Sequence, residues 1–121
     1  AAVLNVKLRY LDAANEQRRK IAVQYCREIK NSDVLLPTVP QNSEEHVWHL
    51  FVVRSKTRTV LQHYLKENGI ETLIHYPIPP HKQNAYPEWQ QLELPITELL
   101  AHEALSLPLS LSGLDQLLKV M

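Results

Sequence analysis

Apolar residues in the first thirty positions recur at helical spacing. Leu4, Leu8 and Leu11, then Ala22, Tyr25 and Ile29, step by three or four, with polar Asn15 and Arg18 interrupting the stripe. No Gly or Pro breaks residues 2–30, so the pattern predicts one long helix there. At 1.5 Å per residue it would span roughly 43 Å. A compact domain of this length has a radius of gyration of about 14 Å. A helix that long outruns the body and is expected to bridge to something else.

Farther on, the period changes. Val34, Leu35 and Leu36 run into Pro37 and Pro40, which allows a short edge strand at most. His46 to Arg54 (HVWHLFVVR) is nearly all apolar, which predicts a central strand covered on both faces. Ser55 or Thr57 can cap a helix reaching Asn68, with Val60, Leu61, Tyr64 and Leu65 on its buried face. Gly69 is placed to end that helix in the left-handed conformation. Ile70 to His75 reads as a second strand, joined by a crossover or an antiparallel return. Four prolines, Pro77, Pro79, Pro80 and Pro87, then stiffen a loop around His81 to Trp89. Ile96 to Leu105 reads as a helix, Leu105 to Pro108 as a short strand, and Leu114, Leu117, Leu118 and Met121 mark a last helix. The expected class is α/β: a long N-terminal helix over residues 1–31, and a small domain over 32–121 with a small, largely antiparallel sheet covered by helices.

Both ends of the chain fall inside helical pattern. Ala1-Ala2-Val3-Leu4 opens without a Ser, Thr, Asp or Asn to cap the first amides, and the last helix stops without Gly or Pro. The chain is therefore expected to be a piece of a longer protein.

Composition narrows the function classes. Of 121 residues, 45% are hydrophobic and 21% charged, with thirteen basic and thirteen acidic side chains. That is globular usage and excludes a disordered tail. A nucleic-acid module would carry a basic excess. No stretch of about 20 residues is free of charge, so no membrane span is expected. One cysteine, Cys26, allows no internal disulfide and fits a cytoplasmic protein; mid-helix among apolar neighbours, it reads as a buried, inert thiol. Charge is uneven: seven basic and three acidic residues lie in 1–31, against six and ten in 32–121. A solvated basic helix face explains this, and so would a face meeting an acidic partner.

Enzyme signatures are absent. Two glycines, Gly69 and Gly113, cannot build a phosphate loop, and there is no G-x-S-x-G. Of six histidines, His46 and His49 should point to opposite strand faces, while His63 and His102 sit on amphipathic helices. His75 and His81 flank the proline loop but have no Asp, Glu or Cys nearby in sequence, a poor metal site. What remains is Ile74-His75-Tyr76-Pro77-Ile78-Pro79-Pro80-His81, a stiff loop with two imidazoles and a phenol. Such groups suit hydroxyls and phosphate oxygens, hence a sugar or nucleotide. Prolines that only reduce chain entropy, with His75 bonded to backbone, would explain the same run.

The chain resembles the small C-terminal domain of sugar-nucleotide aminotransferases of the DegT/StrS type, within the aspartate-aminotransferase fold. The resemblance rests on Ala1-Ala2 with Leu4, Lys7-Leu8 and Leu11; Trp48-His49-Leu50-Phe51-Val52; Leu61 with Leu65-Lys66-Glu67-Asn68-Gly69-Ile70; Thr72 with Ile74-His75-Tyr76-Pro77; Pro80-His81 with Gln83 and Tyr86; and Leu105-Ser106-Leu107-Pro108. The His-Tyr-Pro…Pro-His run is its most specific part. Ser110 to Gly113 departs from the usual acidic start of the last helix.

The resemblance implies a pyridoxal-phosphate enzyme that moves an amino group from glutamate to a nucleotide-linked keto sugar, acting as a homodimer in polysaccharide or deoxysugar synthesis. The wording of Leu73 to His81 leans toward the branch acting on dTDP-3-keto-6-deoxyhexoses. It implies that the Schiff-base lysine and most cofactor contacts lie in a large domain outside these residues, so the chain alone should be inactive and bind no cofactor. It implies substrate contacts from His75, Tyr76 and His81, with Trp48 and His49 as further cleft-lining candidates. The alternative from residue chemistry alone is a free-standing α/β ligand-binding or dimerisation module.

Overall fold

The computed structural model describes all 121 residues. Its centre is a pair of antiparallel strands, β1 (Phe51–Arg54) and β2 (Ala104–Leu107). Phe51 lies opposite Leu107, Val52 opposite Ser106, Val53 opposite Leu105 and Arg54 opposite Ala104. Side chains alternate across a pleated strand, so Phe51, Val53, Leu105 and Leu107 share one face, and Val52, Arg54, Ala104 and Ser106 the other. Leu35 bridges Arg54 on one edge, and Leu73 bridges Ser106 on the other, both antiparallel. The segment from Ile70 to His75 is thus held by a single bridge rather than as a full strand; it and β1 are both antiparallel to β2, which lies between them, so they run parallel and the connection through the helix that follows β1 is the crossover.

Five helices complete the domain: α1 (Ala2–Leu8), α2 (Leu11–Glu28), α3 (Arg58–Glu67), α4 (Pro95–Glu103) and α5 (Leu111–Val120). The first sheet face packs against Ile21, Ala22 and Tyr25 of α2, Leu61 and Leu65 of α3, and Leu114 and Leu117 of α5. Tyr25 is fully buried and its ring lies 5.1 Å from Phe51. Its hydroxyl donates to the Pro108 carbonyl at 2.7 Å, and burial pushes its pKa up to about 12.

Other expectations change as well. The predicted 2–30 helix breaks at Arg9–Tyr10, where the Tyr10 amide reaches back only three residues, to Lys7. Every residue of α1 is exposed, so no packing favours a continuous helix there. The His46–Arg54 strand begins only at Phe51. The His46 Nδ1 accepts the Trp48 amide at 2.8 Å, and Trp48 takes a φ of 51°, a left-handed turn that breaks the extension. Only one sheet face is covered by helices, and Val52 on the other is 36% exposed. On α3, Val60 faces solvent, and Tyr64 stays half-open with its hydroxyl on the Val120 carbonyl.

Local rules hold elsewhere. Gly69 has φ 75°, its amide bonds Lys66 and that of Ile70 bonds Leu65, which closes α3 in a Schellman motif. Ser110 accepts the Gly113 amide at 3.1 Å and caps α5, so the departure from an acidic start leaves that helix intact. Cys26 is half-buried rather than fully so; its thiol contacts the Pro37 carbonyl at 3.7 Å, and burial raises its pKa. No helix is long and apolar enough to cross a membrane.

Candidate functional site

The open face of the sheet floors a cavity of about 580 Å³. Val52, Arg54 and Ala104 form the floor. Leu35, Leu36 and Pro37 make one wall, Thr97, Leu100 and Ala101 of α4 another. The proline loop closes the rim with His75, Tyr76, Ile78, Pro79 and Pro80, and Gln83 follows it.

Ser106 places the rim. Its backbone exchanges two hydrogen bonds with Leu73, at 2.8 and 3.1 Å, and its hydroxyl lies 2.8 Å from His75 Nδ1. Three bonds from one buried residue thus fix the end of the Ile70–His75 segment against β2. With Nδ1 engaged, His75 has Nε2 left for a ligand. Tyr76 follows across a cis peptide bond, its ring edge-on to His75 at 5.6 Å, and it is 73% exposed. His75 and Tyr76 are therefore brought together on the cavity.

The other sequence candidates lie elsewhere. His81 is buried behind the rim in a 3₁₀ turn (Pro80–Lys82), its Nε2 2.9 Å from Glu98 Oε1 and its Nδ1 without a partner. Sequence distance hid this carboxylate, which sits seventeen positions away on α4. The hydrogen bond from His81, then the Leu94 amide, holds the Glu98 carboxyl below its usual range. Trp48 is buried in the core with its ring 5.5 Å from Phe51, and His49 is exposed; neither lines the cavity. No three His, Cys, Asp or Glu side chains converge as a metal site would require.

Sequence reasoning missed Arg54, Glu103 and Ser106. Arg54 donates from Nε and Nη2 to Glu103 Oε2, at 3.1 and 2.8 Å. The signal for Ser106 was present: a lone hydroxyl between Leu105 and Leu107 must face away from the side that buries those leucines.

This arrangement of a small antiparallel sheet and helices superposes on solved aminotransferases. The crystal structure of S. venezuelae DesV in complex with a ketimine intermediate superposes with a TM-score of 0.87 at 35% identity, covering 98% of this chain and 34% of that one. A DegT DnrJ EryC1 StrS aminotransferase from Brucella abortus superposes at 0.84, with 33% identity over 98% of this chain and 33% of its own. The chain belongs to the DegT/DnrJ/EryC1/StrS aminotransferase family, which its residues 1–116 match. It is 57% identical over 110 residues to the dTDP-3-amino-3,6-dideoxy-alpha-D-galactopyranose transaminase of Aneurinibacillus thermoaerophilus, covering 91% of this chain and 30% of that protein. It is 38% identical over 111 residues to the dTDP-3-amino-3,4,6-trideoxy-alpha-D-glucose transaminase of Streptomyces venezuelae, covering 90% and 29%. The chain thus spans about 30% of the length of these relatives.

Proposed function

We propose that this chain is the small C-terminal domain of a pyridoxal-phosphate aminotransferase that moves an amino group from glutamate to a dTDP-linked 3-keto-6-deoxyhexose. The observation that carries the reading is the His75–Tyr76 pair, held at the cavity rim by Ser106, in a chain 57% identical to a transaminase named for a dTDP-3-amino-3,6-dideoxy sugar. Nε2 of His75 and the exposed hydroxyl of Tyr76 are the groups that would meet the sugar or its diphosphate. His81 supports the rim from behind. The apolar walls suit a sugar whose terminal carbon is a methyl group rather than a hydroxymethyl.

Pyridoxal phosphate supplies an electron sink when bound, and its covalent anchor is a lysine. The cavity lining contains no lysine, so these residues do not fit that anchor. In the full-length enzyme the cofactor would be held by residues outside this chain. What these residues supply is binding and orientation of the second substrate, together with a wall that excludes water.

Residues 1–31 would bridge to the rest of the enzyme, and residues 32–121 would form the small domain, the inward face of α2 completing its core. A cytoplasmic homodimer fits this reading. Incubating the full-length enzyme with pyridoxal phosphate, glutamate and the dTDP-3-keto-6-deoxyhexose should give the 3-amino sugar nucleotide and 2-oxoglutarate in equal amounts. Production of neither would refute the assignment, and the chain alone with the same reagents should be inactive.

A further inference from the structure

Arg54 is the one charged residue among those lining the cavity. Its position follows from the strand: two residues after Val52, it falls on the same open face. Its partner, Glu103, is buried at the end of α4, one residue before β2, so register brings the pair together at the strand ends. The arginine meets the carboxylate side-on. Nε and Nη2 both point at one oxygen, and Nη1 makes no hydrogen bond within the chain. The arginine side chain remains 38% exposed.

A buried carboxylate that holds one edge of a guanidinium fixes the plane of the whole group, because the fork is rigid. The end-on edge, Nη1 with the second hydrogen of Nη2, is left for a guest in the cavity that Arg54 lines together with Leu36, Val52 and Leu100. In such surroundings water screens poorly and an incoming anion is attracted more strongly than in bulk solvent. Oxyanions match the fork in shape as well as charge.

We propose that Arg54 is an anion anchor of the cavity, set from behind by Glu103, whose free edge binds an oxyanion of a substrate. This rests on the reading of the cavity as the substrate site. Two sources carry that chemistry there: a carboxylate of the amino donor and the diphosphate of the nucleotide sugar.

The experiment uses the full-length enzyme, with glutarate as the carboxylate probe and thymidine diphosphate as the diphosphate probe, and reads dissociation constants by calorimetry beside the melting temperature. Arg54→Gln alone would strand a buried carboxylate. The test variant is therefore Arg54→Gln with Glu103→Gln, which removes both charges, compared with Arg54→Lys, which keeps the charge without the fork. The expected result is a roughly 10- to 150-fold loss of affinity for one probe in the double variant, a smaller loss in Arg54→Lys, and a melting temperature close to wild type. The probe that loses affinity names the source, and loss of both at unchanged stability assigns both. Unchanged affinities in both variants would overturn the role of Arg54 and leave the cavity reading intact. A large drop in melting temperature with the affinities would make the pair a brace and overturn the proposal. If the wild-type enzyme binds neither probe, the cavity reading itself falls, and the role of Arg54 with it.

Discussion

His81 Nε2 and Glu98 Oε1 lie 2.9 Å apart, joining the proline loop to α4 through one oxygen. That oxygen also accepts the Leu94 amide at 3.2 Å, just ahead of the helix. Lys82, beside His81, donates to the carbonyls of Gln90 and Leu92 at 2.9 Å each. The polypeptide between residues 80 and 98 is thereby tied into a closed loop, and the same stretch carries Pro80, Gln83 and Thr97 on the cavity side.

This tie should be sensitive to acid. The Glu98 carboxyl titrates below its ordinary range, chiefly through His81 and next through the Leu94 amide. A depressed folded-state pKa contributes stability that is complete above the unfolded carboxylate value and is lost as pH falls through the folded one. Glu98→Gln keeps an oxygen acceptor but cannot titrate. Melting temperature followed from neutral pH down through the carboxylate range should therefore fall more steeply in the wild type than in Glu98→Gln. Parallel curves would show that the Glu98 carboxylate gains nothing from its partners.

The two faces of β1 should respond differently to truncation. Phe51 is fully buried between Tyr25 and Trp48, so Phe51→Ala removes a packed ring and is expected to cost about 3–5 kcal/mol. Val52, one residue on, borders open cavity. Val52→Ala leaves no enclosed void and should cost under about 1 kcal/mol. Chemical denaturation of the two variants checks this; equal losses would mean that the open face is packed in solution.

Where a feature is local, the sequence was readable. Gly69 after a helical run, Ser110 ahead of one, and Leu105-Ser106-Leu107-Pro108 as a short strand each depend on neighbours within a few residues, and each is found. The failures share a different cause. Leu50-Phe51-Val52-Val53 is apolar on both faces, so nothing within it reveals that Val52 opens on a cavity, and the histidines before it do not show that a turn at Trp48 ends the extension. The same holds for Val60, whose row on α3 meets no partner. The site divided along this line. His75 and Tyr76 stood out because prolines surround them, whereas Arg54 with Glu103 and His81 with Glu98 are pairs made by folding, 49 and 17 positions apart.

The decisive test of the rim is Tyr76→Phe in the full-length enzyme. The change removes one hydroxyl and almost no volume, and Tyr76 is too exposed for the fold to depend on it. If that hydroxyl bonds a charged phosphate oxygen of the nucleotide sugar, its loss should weaken binding by ~1.5–3 kcal/mol. At 1.4 kcal/mol per decade this is roughly 10- to 150-fold in the sugar half-reaction. On the proposed reaction the glutamate half-reaction never meets the nucleotide, so its rate and affinity should hardly change. His75→Asn should shift in the same direction, and more so if Ser106 loses its partner, because the hydroxyl at 2.8 Å is what aligns the ring. Stability should hold in Tyr76→Phe and fall little in His75→Asn. Equal damage to both half-reactions would point to a general disturbance of the cleft. A large loss of stability at unchanged sugar affinity would return the loop to a packing role. Selective loss in the sugar half-reaction is the outcome that assigns the pair to substrate, because no packing defect at the rim would spare an amino donor that visits the same cleft.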